Sequence, residues 1–417
     1  MRTAERLARN PHDRRALAVM SVGHAIQHFY TAGLAISYPF VIADLHVSYA
    51  ILGVMLTGAG IVGGLLQGTA GVYGRARARM VLAAQNVGLL VAALLGAVAP
   101  GFGMFAGARV LGAVASSPQH PVGSAYLSER FPHRRGTVLS WHTAGGSVGT
   151  VTVPLLVAAV IAGAGWRWAL VVLAGTLGIG ALLVGVALPS EHRVAAREEA
   201  SAPRVPLRQL LARRQVRAVL LAATIAAGGR GLGTLSIYIP ADLRTGLHLP
   251  AITVGVVFTA VMAASVAGPL VGGSLADRFG RRPTLVVTYL AAAAAMVAFG
   301  FIGRDVGLLI AVGVAVGVLA YTESPLLQAV FSDLTEGGAA RSAFGAYFAI
   351  AYGVGSLWTA LLGWIVDSFG FATAFSVMGA SFVAAGLVIW GWTGPPADRA
   401  VSDAGPSLPA GPSLPAD

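Results

Sequence analysis

The sequence predicts an all-α membrane protein whose twelve transmembrane helices form two pseudo-symmetric six-helix bundles, and three observations lead there. Charge is scarce: 11% of the 417 residues are charged and 56% are hydrophobic, where a soluble domain carries roughly 25% charged residues. The apolar residues fall in twelve runs, each long enough at about 1.5 Å per residue to cross a hydrocarbon core of about 30 Å. Unusual residues also recur at one offset in the two halves. Backbone groups in lipid must be satisfied internally, and no run alternates with period two, so helices are expected rather than a β-barrel. The chain has no cysteine, which excludes disulfides, thiolate metal sites and cysteine nucleophiles. It has no lysine either, so the net charge of +11 rests on arginine and is spread along the chain, with no basic domain of the nucleic-acid-binding kind.

Taken in order, the runs are 16–40, 48–70, 79–99, 102–126, 136–162, 166–188, 216–240, 250–274, 283–303, 306–331, 341–366 and 371–394. The first is too long, and too rich in His and Gln, for a cleaved signal segment, so it counts as a span. Arginines set the topology. Arg2, Arg6, Arg9, Arg14 and Arg15 precede the first span, and Arg75, Arg77 and Arg79 lie between the second and third. Arg130, Arg134 and Arg135 follow the fourth, seven more run from Arg193 to Arg217, and Arg278, Arg281 and Arg282 follow the eighth. The other face carries Arg167, Arg244 and Arg304. The positive-inside rule then makes both termini and the central link cytoplasmic. The arginine-only, cysteine-free composition suggests a GC-rich prokaryotic genome, hence the plasma membrane. The expected domains are a bundle at 1–188, a cytoplasmic linker at 189–215 ending in a short amphipathic helix, a second bundle at 216–394 and a disordered tail at 395–417.

An offset of about 207 residues places Ser117-Pro118 on Ser324-Pro325 and Ser128-Glu129 on Thr335-Glu336. It also brings Gly146-Ser147-Val148-Gly149 beside Gly353-Val354-Gly355-Ser356. Repeat interfaces are where transporters place a midplane site reached alternately from either face. The run Gly273-Ser274-Leu275-Ala276-Asp277-Arg278-Phe279-Gly280-Arg281-Arg282 resembles the signature loop of the major facilitator superfamily, and the resemblance covers nearly the whole chain. It implies that Gly273 lets two helices approach and that Asp277 caps a helix N-terminus, that of the fifth span near Gly136. The matching first-half loop starts at Gly71 but has Arg75 where the family expects the acid. Gly146 through Pro154 is similar to the glycine–proline motif of antiporters. A narrower likeness is to the fosmidomycin-resistance group of exporters. It rests on His24, Tyr38-Pro39, Leu65-Leu66-Gln67, Ser116-Ser117 with His120-Pro121, and Gly145-Gly146. That group's acids are replaced here by Gln27-His28 and by Val122, so its proton carriers do not transfer.

Ionisable groups at membrane depth are costly and face a cavity or one another. Glu323 is the acid lying well inside a span, two residues before Pro325, and is the candidate proton carrier. Arg230, flanked by Gly228, Gly229, Gly231 and Gly233, has room for a ligand and suits a carboxylate or phosphonate. Its alternative is a plain ion pair with Glu323, and the two can hold in alternate states. Arg109, followed by Gly112, is shallower and reads as a coupling or structural residue. His24 and His28 share one helix face with Gln27 and are assigned to proton coupling. His120, between Pro118 and Pro121, and His142 join Gln27, Tyr30, Gln328 and Tyr352 as candidate substrate contacts, with the proline-freed carbonyls of Val114 and Ser117 exposed to the same cavity. Trp141 and Tyr347 are weaker candidates for that lining. The histidine pair alone, without an accompanying carboxylate or thiolate, does not make a metal site, so none is expected.

The expected function is secondary active transport of a small organic anion or amphiphilic drug-like molecule by alternating access, as proton-coupled efflux, with proton antiport and antibiotic resistance as its setting. The alternative is uptake of a carboxylate nutrient by proton symport or anion exchange, and a third reading is a membrane receptor that moves nothing. Enzymatic catalysis is not expected, since no nucleophile–base pair or metal cluster is recognisable. No cofactor is called for. Partners are the substrate, protons and the lipid bilayer, with no nucleic acid, and the superfamily resemblance implies a monomer.

Overall fold

The computed structural model describes residues 11–73, 77–131, 134–189, 207–335 and 340–391. Arg75, most of the central link and the tail after residue 395 lie outside these described residues. The first bundle is built from α1 (Pro11–Asp44), α2 (Tyr49–Tyr73), α3 (Ala78–Ala97), α4 in two pieces (Phe102–Ser116 and Gln119–Arg130), α5 (Arg135–Ala164) and α6 (Trp166–Ala187). A short helix, Leu207–Ala212, leads into α7, which runs as Arg214–Ala226, a break, the π-turn Gly231–Leu235 and Ser236–Ala241. Then follow α8 (Ala251–Phe279), α9 (Arg281–Gly300) and α10, again in two pieces (Val306–Ala320 and Glu323–Leu334). The last passages are α11, which starts at Ala340–Phe348 and crosses a π-turn at Ala349–Gly353, and α12 (371–390), divided from α11 by the non-helical Gly370.

Eight helical stretches among the described residues are apolar and long enough to span by themselves, one of them carrying both α11 and α12. The remaining passages are α1, α4 and α7, which are polar or broken. They contribute His24, His28, His120 and Arg230 to the candidate site, and α5, α10 and α11 contribute the rest of its central residues. Duplication is visible in the breaks: the second pieces of α4 and α10 are both 12 residues long. It is visible again where Gly165 (φ 86) joins α5 to α6 and Gly370 (φ 83) joins α11 to α12, a left-handed conformation that favours glycine. At the α4 break the carbonyl of Val114 is not left open to a cavity, as the sequence suggested. It accepts from the Ser117 backbone N–H at 3.3 Å and from Ser117 Oγ at 2.8 Å.

Within the first bundle α5 lies backbone-to-backbone on α1. A Cβ on Gly145 would stand 2.3 Å from the Ser21 carbonyl oxygen, and one on Gly149 2.0 Å from that of Ala25. Gly146 meets the His24 ring in the same way, and Pro154 lies buried further along α5.

The bundles are joined at the face opposite the arginine-rich loops. Asp367 of α11 accepts from the backbone N–H groups of Tyr49 (3.0 Å) and Ala50 (2.7 Å), capping α2 from across the interface. Tyr49 Oη lies 2.6 Å from Thr245 Oγ1, Thr57 donates to the Ser356 carbonyl at 2.8 Å, and Thr57 Oγ1 is 2.9 Å from Thr359 Oγ1. Gly53 and Gly363 let the two backbones touch: an added Cβ would be 2.3 Å from Thr359 O and 2.1 Å from Tyr49 O. Gly255 of α8 likewise packs on Ala158 of α5.

The signature loop behaves differently from its expectation. Asp277 is exposed and has no hydrogen bond among the described residues, and the space around Gly136 is open. Gly273 also faces open space, whereas its neighbours Gly268 and Gly272 are the close-contact positions, against Val318 and Thr322 of α10. Arg281 ties the start of α9 to the end of α10 through the Asp333 carboxylate and the Ala329 carbonyl, the latter at 2.7 Å. Gly280 (φ 89) makes the α8–α9 turn, and Arg278 lies over the Phe279 ring. On the other face Arg167 pairs with Asp44 at 2.6 Å.

Candidate functional site

Two polar clusters occupy the interiors of the bundles, on the broken helices α7 and α10 and on their counterparts α1 and α4. In the second bundle, α7 stops at Ala226 and resumes as a π-turn, leaving Arg230 with extended backbone (φ −64, ψ 133). Glu323 opens the second piece of α10. The two side chains meet inside the protein. Arg230 Nε and Glu323 Oε2 lie 3.5 Å apart and face each other without a hydrogen bond. Glu323 is fully buried and Arg230 is 4% exposed. Arg230 donates to the carbonyls of Ala351 (3.0 Å) and Ala223 (2.5 Å), and its guanidinium lies 4.5 Å from the Tyr352 ring centroid. Tyr289 Oη donates to Glu323 Oε1 at 3.3 Å.

Glycines around Arg230 serve a different purpose from the one inferred. The space beside Gly228 is filled by Ser381 and Trp358, that beside Gly229 by Phe382 and Met296, and that beside Gly231 by Tyr321. These three let α7 sink into its own bundle, whereas Gly233 (φ 136) is exposed and faces open space. The polar layer above the pair is made by half-buried residues: Tyr352 Oη lies 2.8 Å from Ser324 Oγ, and Gln328 Nε2 donates to the same oxygen at 2.9 Å. Tyr347, by contrast, is fully buried, and Trp141 is 60% exposed on the flank of α5.

In the first bundle four histidines converge. His24 stacks on His142 with centroids 4.1 Å apart, and lies edge-on to His28 at 4.5 Å and His120 at 5.3 Å. His24 Nδ1 bonds the His142 carbonyl at 2.8 Å, and His28 Nδ1 bonds Thr150 Oγ1 at 2.9 Å. His24 and His142 are buried, while His120, just past the α4 break, is exposed. Gln27 is buried beside them. Arg109 stands apart, donating to Tyr30 Oη at 3.4 Å with the Tyr38 ring 6.0 Å away. Gly112 opens that space, since a Cβ there would be 3.0 Å from both Arg109 Nη1 and Tyr30 Oη.

The structure thus brings together Glu323 with Arg230, Gln328 with Tyr352, and His24 with His28, His120 and His142, and it puts Arg109 and Tyr30 in a separate contact. Tyr289, Ser324 and Thr150 were not anticipated. Nothing local marks Tyr289. Thr150 carried a signal in hindsight, four residues after Gly146 on the face that α1 covers.

Comparison with known proteins agrees with this architecture. The nucleoside transporter NupG is similar in structure at a TM-score of 0.76 and 13% identity, over 90% of this chain and 99% of that one. A D-xylose–proton symporter gives a TM-score of 0.71 at 16% identity, over 90% of this chain and 97% of that one. A bacterial homologue of the human lysosomal transporter Spinster, in an inward-facing and unoccupied conformation, gives 0.69 at 15%, over 91% and 95%. At such identities these likenesses speak for the fold alone. No curated protein sequence matches. The model of the Major Facilitator Superfamily matches residues 20–241 and again 219–413. The chain therefore belongs to the Major Facilitator Superfamily and is a multi-pass membrane transporter, not an enzyme.

Proposed function

We propose that this transporter moves a small organic anion together with a proton, with the substrate anion and the Glu323 carboxylate competing for Arg230. The observation that carries the reading is the buried Arg230–Glu323 contact at 3.5 Å. A guanidinium that serves either an internal carboxylate or an external one can release the first only when that carboxylate is neutralised, because an unpaired buried charge is costly. Protonation of Glu323 therefore frees Arg230 for an anion, and anion binding favours protonation. Proton and substrate then bind together, which is the coupling of a symporter. With an inward proton gradient, uptake of a carboxylate is favoured over the drug–proton exchange suggested by the exporter likeness, since exchange needs the two ligands to exclude each other.

In this reading Tyr352, Ser324 and Gln328 are the first contacts an anion meets above the pair, and Tyr352 must turn aside for Arg230 to be reached. His24, His28, His120 and His142, with Gln27, supply the opposing wall and extra positive charge when protonated. Arg109 and Tyr30 hold α4 against α1. With both termini on the cytoplasmic side of the plasma membrane, the joined face is the outer one, so the conformation is inward-facing. Rocking about a monomer's bundle interface then gives alternating access.

The test is transport in proteoliposomes. Wild-type protein should accumulate the anion when the lumen is made alkaline, and Glu323→Gln should lose that response while retaining anion exchange. An undiminished gradient response in Glu323→Gln discards the coupling role. Depletion of the lumen in place of accumulation returns the exporter reading. Arg230→Ala with unchanged anion affinity removes the competition argument.

A further inference from the structure

We propose that His24, His28 and His120 form a binding site for a divalent transition-metal ion of the zinc type. The site does not depend on the reading of Glu323 and Arg230. One ring nitrogen from each of the three lies within 4.8 Å of the others. Two come from successive turns of α1 and the third from the start of the second piece of α4.

The hydrogen bonds prepare the rings as ligands. His24 Nδ1 faces a carbonyl oxygen, that of His142, which can only accept, so Nδ1 carries the proton and Nε2 presents its lone pair. That Nε2 is buried and has no hydrogen-bond partner, on a side chain only 4% exposed as a residue. His28 is fixed in the same sense. Thr150 Oγ1 spends its proton on the Gly146 carbonyl at 3.1 Å, so it accepts from His28 Nδ1 at 2.9 Å and leaves His28 Nε2 bare. A metal-ligating histidine characteristically donates its other ring N–H to a carbonyl or similar acceptor, which sets the tautomer and orients the ring. Both α1 histidines have this arrangement without a metal having been needed to explain it. An orphaned, buried lone pair otherwise costs free energy.

Three imidazoles around zinc, at about 2.0–2.1 Å each, place their nitrogens about 3.3 Å apart in a tetrahedron. Closing from the present spacing can draw on His120, which is exposed and follows the Ser117-Pro118 break, while hydrogen bonds hold the two α1 rings. The fourth position opens on that exposed side and takes water or an anionic group. An all-nitrogen set without carboxylates selects zinc, cobalt, nickel or copper over magnesium, calcium or manganese.

The experiment uses the full chain purified in detergent without a polyhistidine tag. Titration calorimetry with Zn²⁺ should show one saturable equivalent, and Co²⁺ should give the intense visible ligand-field bands of a tetrahedral site. His28→Ala and His120→Ala should each weaken Zn²⁺ at least about tenfold and abolish the cobalt bands. Thr150→Val, which keeps all three ligands and removes the acceptor that orients His28, should weaken it about tenfold. His12→Ala should change nothing. Absence of a saturable equivalent overturns the proposal. So does an affinity that is the same in His120→Ala and in wild type, with both proteins monodisperse on gel filtration, since the ion would then be adventitious.

Discussion

Arg230 is held by four groups of three kinds: a carboxylate, two backbone carbonyls and an aromatic face. Because those partners come from α7, α10 and α11, the residue is as much a clasp of the second bundle as a candidate ligand. Removing one member of a buried ion pair costs about 3–5 kcal/mol, whereas replacing both by apolar side chains of similar volume is often neutral. Glu323→Leu and Arg230→Met are therefore each expected to lower the unfolding temperature in detergent, and the double variant to recover most of the loss. All three should be inactive in transport. A double variant no more stable than the singles would show that the pair is not the dominant interaction. That an acid and an arginine lie inside the spans is plain in the sequence, and so is their possible pairing. That the pairing is buried beneath Tyr352 was not, since it depends on where three separate helices put their side chains.

At the scale of elements, glycines decide which helices can approach. Gly149 and Gly53 sit in equally tight contacts, but the first is inside a bundle and the second between bundles. The two substitutions therefore have different expected outcomes. Gly149→Ala forces α5 off α1 and is expected to cost about 1–3 kcal/mol, read as a lower unfolding temperature. Gly53→Ala wedges α2 against α11 without disturbing either bundle's core. It should leave stability near wild type and open the joined face, seen as faster labelling of a single introduced cysteine there, which a chain with no native cysteine permits. The glycine clusters were legible as sites of close approach. Which of them faced open space was not: of the four around Arg230, Gly228, Gly229 and Gly231 are covered by Ser381, Phe382 and Tyr321 from their own bundle, and Gly233 is open.

For the whole molecule, the two bundles close on one face through Asp367, Tyr49, Thr57, Ser356 and Thr359. Thr57 Oγ1 and Thr359 Oγ1 point at each other across the joined face at 2.9 Å, so cysteines at the two positions would face each other. Thr57→Cys with Thr359→Cys should cross-link on oxidation and stop transport, and reduction should restore it. Persistence of transport in the cross-linked protein would mean that this face need not open. Asp367→Ala removes the acceptor for two N–H groups at the start of α2, a loss of about 0.5–2 kcal/mol felt only while the face is closed. The expected result is a shift toward the opposite conformation, roughly 2- to 30-fold in population. A distance measured across the joined face by spin labels checks it.

The twelve passages, the two halves and the family could be read from the chain alone, because apolar length, arginine placement and repeated motifs are local properties that a bilayer forces into one arrangement. The same reading named His24, His28, His120, Arg230 and Glu323, since polar groups in an apolar run are conspicuous. Tertiary structure decided the rest. It left Asp277 exposed and put a cap between the bundles at Asp367, because such a cap depends on which helix ends the assembled fold brings together. It also turned a histidine pair into a group of four, two of them, His24 and His28, with lone pairs oriented by hydrogen bonds, because α1, α4 and α5 meet only when the bundle is assembled.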